Sequence, residues 1–239
     1  MNYFSFAWMT FRNRLLEEYR YPLQAIVNLL VFSGFVFLIA SGSSVIIGGD
    51  AAVNFTRVFL AFFLGVGLTS IMQTLVDKGS LEEFYLYPLK SAPMLLAAGA
   101  GRLLESILTM AFLVYLVPGW LLGHPDLAWR FLAATPLVGF FAMGLGMVIA
   151  GLSLVYRKLG QLPQILMLLL LALAVGVPDS VLAFSKGWFP LAAAVLYTRG
   201  AAVIPWSAWA VSLAVFALGI VLFAVLEKQM FARGLISQE

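Results

Sequence analysis

Apolar residues in this chain run in long blocks instead of alternating with polar ones, and the block lengths set the first prediction. A helix needs about 20 apolar residues, at about 1.5 Å each, to cross a hydrocarbon core of about 30 Å. Six runs fit: Leu23 to Gly42, Val58 to Val76, Gly99 to Leu121, Phe131 to Tyr156, Leu162 to Val177 and Ile204 to Leu226. The fifth is short, stopping at Pro178, and the apolar segment 178–203 follows it with Pro190 inside and Pro205 just beyond. Val181 to Phe184 and Trp188 to Tyr197 predict short helices re-entering the outer leaflet, with Trp188, Phe189 and Trp206 at headgroup depth. The predicted fold is all-α, one domain over 1–239 with six transmembrane helices and outer re-entrant helices before the last span.

Composition supports the same class. Of 239 residues, 63% are hydrophobic and 10% charged, where soluble domains are about a quarter charged. A water-soluble fold is excluded. Cys is absent and His124 is the single histidine, which removes disulfides, a cysteine nucleophile and a zinc cluster, so no metal site is expected. His124, with Pro125 and Asp126, reads as an exposed loop histidine. The net charge of +3 does not point to nucleic acid, because the basic residues are dispersed between apolar runs.

Those basic residues set the orientation. Arg12, Arg14, Arg20, Lys78, Lys90, Arg102, Arg157, Lys158, Lys228 and Arg233 fall on one side, against Arg57, Arg130, Lys186 and Arg199 on the other. Lys and Arg favour the cytoplasmic flank, so both termini are expected in the cytoplasm of a multi-pass plasma (inner) membrane protein. The charged first 20 residues do not form a cleavable signal, and the first span serves as the anchor.

Segment 1–21 predicts an amphipathic interface helix. Phe4, Trp8, Phe11 and Leu15 share one side, while Arg12, Arg14, Glu17, Glu18 and Arg20 supply charge beside it. A topogenic leader is the other reading. Pro22 marks the turn into the first span. In the fourth run, Ala142, Gly146 and Ala150 recur every fourth position beside Gly139, Gly144 and Gly151. They permit close helix approach, inside one subunit before between subunits. Arg102 and Glu105 stand three apart at the start of the third span, where snorkelling or mutual pairing is expected ahead of a relay. Aromatics in the first two spans read as packing first. The second reading has Phe32, Phe35, Phe59 and Phe62 lining a substrate path.

The loop over 77–90 differs from the other connections. Ser80 caps a short helix, Glu83 completes a capping box, Gly79 frees the chain from the second span, and Pro88 limits the helix to about two turns. Leu81, Phe84 and Tyr85 share a face that needs a cover. Membrane surface or the chain's own helix ends form one cover. A groove on a soluble partner forms the other.

Gly79-Ser80-Leu81-Glu82 followed by Pro88-Leu89, just after the second of six spans, resembles the cytoplasmic signature of type 2 ATP-binding-cassette exporter permeases. The flat amino-terminal helix, the chain length and the short fifth span with re-entrant helices are similar as well. The resemblance implies a coupling helix over Gly79 to Leu89 seated on an ATPase, with Leu81, Glu82, Phe84 and Tyr85 in contact. It implies that Arg12, Arg14, Glu17 and Glu18 meet the ATPase or link it to the spans. It further implies nucleotide-binding ATPase subunits carrying ATP and Mg, and a second permease subunit forming a homo- or heterodimer. The chain has no Gly-x-x-x-x-Gly-Lys-Ser/Thr loop, so it is expected to be no enzyme itself and any nucleotide chemistry falls to a partner. Two other classes stay open: a membrane-embedded enzyme acting on lipid or isoprenoid, and an ATPase-independent carrier. Asn28, Gln73, Arg102, Glu105 and Gln164 are the polar residues such an enzyme would draw on. Gly48-Gly49-Asp50 resembles part of an intramembrane aspartyl protease motif but lacks a second aspartate within a span. Glu82-Glu83 lacks the arginine and histidines of a prenyl-protein endopeptidase.

Overall fold

Lipid offers the backbone no hydrogen-bond partner, so a single segment crosses it only as a helix, and helix is the regular structure found. The computed structural model describes residues 3–47, 50–76, 90–155, 165–166, 168–169, 172 and 179–232. Among these, α1 spans Tyr3–Arg20, α2 Pro22–Ile47, α3 Ala51–Val76, α4 Ser91–Val114, α5 Asp126–Val155, α6 Asp179–Ser185, α7 Pro190–Thr198 and α8 Trp206–Ala232. A π-helical stretch, Tyr115–Leu121, prolongs α4.

Among the described residues, four helices are long and apolar enough to span a membrane: α3, α4 with its extension, α5 and α8. Helix α2 adds a shorter apolar stretch, Leu29–Gly42. The fifth predicted span, 162–177, lies mostly outside the described residues. Segment 178–203 does contain two short helices, α6 and α7, as its prolines suggest.

Two predicted boundaries move. Helix α3 begins at Ala51, not Val58, because Asp50 caps it: the Ala52 N–H donates to Asp50 Oδ1 at 2.8 Å and the Asn54 N–H to the Asp50 carbonyl at 3.0 Å. Arg57 therefore lies inside a helix that is long and apolar enough to span a membrane, not ahead of it. Helix α4 begins at Ser91, not Gly99, straight after extended Lys90, with Pro93 in its first turn, where its missing N–H removes no helical bond.

Helices α3 and α5 form the centre, with 78% of the α3 apolar window buried against 17% for α8. Helix α5 reaches this position through its small residues. Ala142 and Gly146 meet α3, where a Cβ on Gly146 would come within 3.1 Å of the Gly67 carbonyl oxygen. Gly144 and Gly151 meet α8: a Cβ on Gly144 would sit 2.6 Å from the Val215 carbonyl oxygen, and one on Gly219 would overlap the Gly144 backbone. The glycine-alanine clustering thus serves packing within the chain. Ser212 on α8 adds a hydrogen bond to the Leu137 carbonyl on α5.

Apolar side chains cover the outside. Leu23, Leu30 and Leu38 on α2, Leu108 and Phe112 on α4, and Leu218 and Val221 on α8 are exposed, as lipid contact requires. At the end where α3 begins and α4 finishes, here the far end, Trp120, Trp129, Trp188 and Trp206 are all exposed, matching an interfacial aromatic belt. Phe189 departs from that prediction: its ring turns inward, edge-on to Phe141 at 6.1 Å.

Gly219→Ala is expected to destabilise the solubilised protein by about 1–3 kcal/mol or more through overpacking. Gly34→Ala, whose added methyl meets nothing within 4 Å, should be neutral or stabilising by up to about 1 kcal/mol. Thermal unfolding of both variants in one detergent checks the opposite signs.

Candidate functional site

At the near end, where the 77–90 connection joins α3 to α4, helix α1 docks along α4. The close approach is permitted by Gly101, since a Cβ there would lie 2.7 Å from the Ala7 carbonyl oxygen and 3.2 Å from Thr10 Cβ. Phe6 and Phe11 are buried, and the Lys90 N–H points to the Tyr3 hydroxyl oxygen at 3.4 Å. The amphipathic reading of α1 therefore needs one change. Phe4, at 79% exposure, and Trp8 and Leu15 face outward, whereas Phe11 turns to α4 with its ring 5.4 Å from Trp8. Arg12 is exposed on α1. Arg14, Glu17 and Glu18 belong to the same helix, their side chains outside the description.

Gly79, Ser80, Leu81, Glu82, Glu83, Phe84, Tyr85, Pro88 and Leu89 lie outside the described residues. The helices that frame them are described. Gly99 on α4 packs against Ile71 and Ser70 on α3, and Arg102 Nη1 donates toward the Ser70 carbonyl at 3.4 Å. Arg102 thus reaches across to α3, a placement that sequence spacing does not reveal.

Three of the four predicted path aromatics come together. The Phe32 ring on α2 stands edge-on to Phe59 at 5.6 Å and to Phe62 at 5.0 Å on α3. Phe35 is not with them and is exposed. Separately, an apolar groove of about 230 Å³ opens between α3, α4 and α5, lined by Phe63, Leu103, Leu104, Ile107, Phe140 and Met143 among others.

The far end carries polar groups that sequence reasoning left as scattered loop charges. Asn54 and Arg57, on one face of α3 three residues apart, are 3% and 2% exposed. Arg57 Nη1 and Arg199 Nη2 both donate toward Asn54 Oδ1, each at 3.4 Å, and Asn54 Nδ2 is buried without a partner. Arg130 on α5 donates to the Tyr197 carbonyl at 2.9 Å and stacks over that ring at 5.6 Å, placing a cation at the α7 C-terminus, where the helix dipole favours it. Asp126 pairs with Arg130 at 3.2 Å, and Asp50 with His124 at 2.9 Å. Burial draws the Arg199 guanidinium below its ordinary pKa. The signal available in the sequence was Asp50 as a helix cap, which draws Asn54 and Arg57 onto one helical face.

Among the described residues no group of three or more His, Asp or Glu could hold a metal ion. No family model matches the chain, and no curated protein or solved structure matches it either.

The absence of Cys makes the α1–α4 docking testable. A Tyr3→Cys, Lys90→Cys pair is expected to crosslink in membranes with a short bifunctional thiol reagent. Adding Gly101→Leu should cut the yield severalfold by forcing α1 off α4, and an undiminished yield would contradict the docking.

Proposed function

We propose that the chain is the membrane-spanning permease subunit of an ATP-driven exporter, moving an amphipathic or hydrophobic substrate out of the cytoplasm. The observation that supports this most is the docking of α1 on α4 at the end where the Gly79-Ser80-Leu81-Glu82 and Pro88-Leu89 segment enters. A soluble ATPase seated there would meet the connection and the amino-terminal helix together. In this reading the near end is cytoplasmic, as the charge asymmetry indicates, and a second permease subunit completes the pathway.

The mechanical sequence follows from connectivity. ATP binding closes a separate ATPase dimer, and the motion enters at residues 79–89. These residues run directly into α4, whose first three turns carry α1 through Gly101 and touch α3 through Gly99 and Arg102. A push on the segment is therefore delivered to α3, α4 and α1 together, and alternating access results from tilting them against the rest of the bundle. The lipid-enzyme alternative requires polar groups converging at one depth. Among the described residues they separate instead, with Arg102 and Glu105 toward the near end and Arg57 with Asn54 at the far end.

Co-purification with a candidate ATPase carrying a phosphate-binding loop, taken from a reading frame adjacent to the gene for this chain, tests the proposal. Phe84→Ala and Glu82→Ala should each weaken association by about tenfold or more, the usual scale for a buried anchor at an interface. Substrate-stimulated ATP hydrolysis should fall in parallel. Unchanged association and unchanged hydrolysis in both variants defeat the assignment.

A further inference from the structure

We propose that Asn54, Arg57 and Arg199 form an oxyanion-binding site at the far end of the bundle, taking the phosphate or carboxylate group of an amphipathic molecule or of a free anion. The inference goes beyond the permease reading and does not depend on it. It requires only that α3 crosses the membrane.

Position argues first. Arg57 lies about 9 Å along the axis from the start of α3 and is 2% exposed in an apolar helix, and a charge buried there is costly to hold. Two guanidiniums converge on one amide oxygen, at 3.4 Å each. Both arginines have other partners as well, so the site proposed is one that adds an oxyanion to an already connected pair.

The amide supplies an independent argument. Asn54 is 3% exposed, its Oδ1 is engaged by both arginines, and its Nδ2 is buried without a partner. A buried donor left unmade costs about 1–3 kcal/mol. An oxyanion beside it would accept that N–H while lying next to both guanidiniums, and bidentate geometry suits arginine to carboxylate and phosphate. Of the carboxylates whose side chains are described at this end, Asp50 contacts His124 and Asp126 pairs with Arg130. Arg199 is part-exposed, whereas Arg57 is 2% exposed.

Thermal unfolding of the purified full chain tests the site with two probes. Inorganic phosphate is compared with chloride at matched ionic strength, and mixed micelles of phosphatidylglycerol are compared with phosphatidylcholine. Ligand that binds the folded state raises the midpoint by mass action. A rise with phosphate that Arg199→Gln reduces by about tenfold in apparent affinity identifies a site open to free oxyanions. A rise with phosphatidylglycerol alone, equally lost in Arg199→Gln, identifies the source as a lipid headgroup. Lys186→Gln, at the same end but outside the cluster, should respond as the unmodified chain does. Asn54→Asp supplies a carboxylate from within, so it should raise the resting midpoint and abolish the response to both probes. That variant decides the matter should Arg199→Gln fail to fold. The site is overturned if neither probe stabilises the unmodified chain beyond its control, if Arg199→Gln keeps the full response, or if Asn54→Asp leaves the response unchanged.

Discussion

Contact between backbones across α5 is the constraint on which the rest of the bundle depends. In lipid, burying apolar side chains gives helices little reason to associate, because the surrounding tails are as apolar as leucine. What remains is dispersion at close range and the hydrogen bonds that close range permits. Helix α5 obtains both on two sides. Ala142 and Gly146 bring it to α3, and Gly144 and Gly151 bring it to α8. A side chain larger than hydrogen at Gly219 would meet the Gly144 backbone itself, so α5 and α8 approach about as nearly as two helices can. The Ser212 hydroxyl bonded to the Leu137 carbonyl crosses the same contact. With α3 and α8 fixed to α5, the remaining helices have a rigid post to lean on.

The polar backbone obeys a matching rule of full accounting. Pro136 inside α5 cannot donate to the Leu132 carbonyl, and in lipid that oxygen would be left bare. Thr135 supplies the missing donor, with its hydroxyl 2.9 Å from the same oxygen. Pro118 raises a similar problem at the end of α4, where the helix widens to π geometry and the Leu122 N–H bonds the Val117 carbonyl at 3.0 Å. The His124 N–H then takes the Pro118 carbonyl at 2.9 Å. Pro136 does not break its helix, because the carbonyl it frees finds a substitute donor one residue away.

Much of this was legible in the sequence, and the reasons differ by feature. Run length alone located α3, α4, α5 and α8, since hydrocarbon thickness is a ruler that local chemistry cannot override. The spacing of Ala142, Gly146 and Ala150 correctly pointed to packing within the chain, because small residues in a span have few other uses. Helix starts were less legible. Reading Val58 as the start of α3 treated Arg57 as a loop charge, although Asp50 was already a suitable cap and a buried arginine can be held by neighbours distant in sequence. Arg199 meets Asn54 across 145 positions, and no periodicity encodes such a pairing. The face of α1 was half legible: Phe4, Trp8 and Leu15 do lie outward, but Gly101, far along the chain, decides that Phe11 does not.

Unequal packing around α5 also says which part of the bundle is able to move. Helices α3 and α8 touch α5 through backbone, so sliding them would break many contacts at once. Helix α4 meets α5 more sparsely, and the groove of about 230 Å³ lies along that border, lined by Leu103, Leu104 and Ile107 from α4 and by Phe140 and Met143 from α5. This open apolar groove leaves the α4–α5 border less filled than the backbone contacts of α5 with α3 and α8. Helix α4 is also the one that carries α1 and continues directly from residues 79–89. Under the proposed reading, force would then enter at the helix with the most freedom beside it, while the α3–α5–α8 contacts hold the frame against which it tilts. The far-end arginines sit on α3, α5 and the turn after α7, within reach of that frame. An anion bound there would tighten the fixed part of the bundle and leave the moving part its freedom.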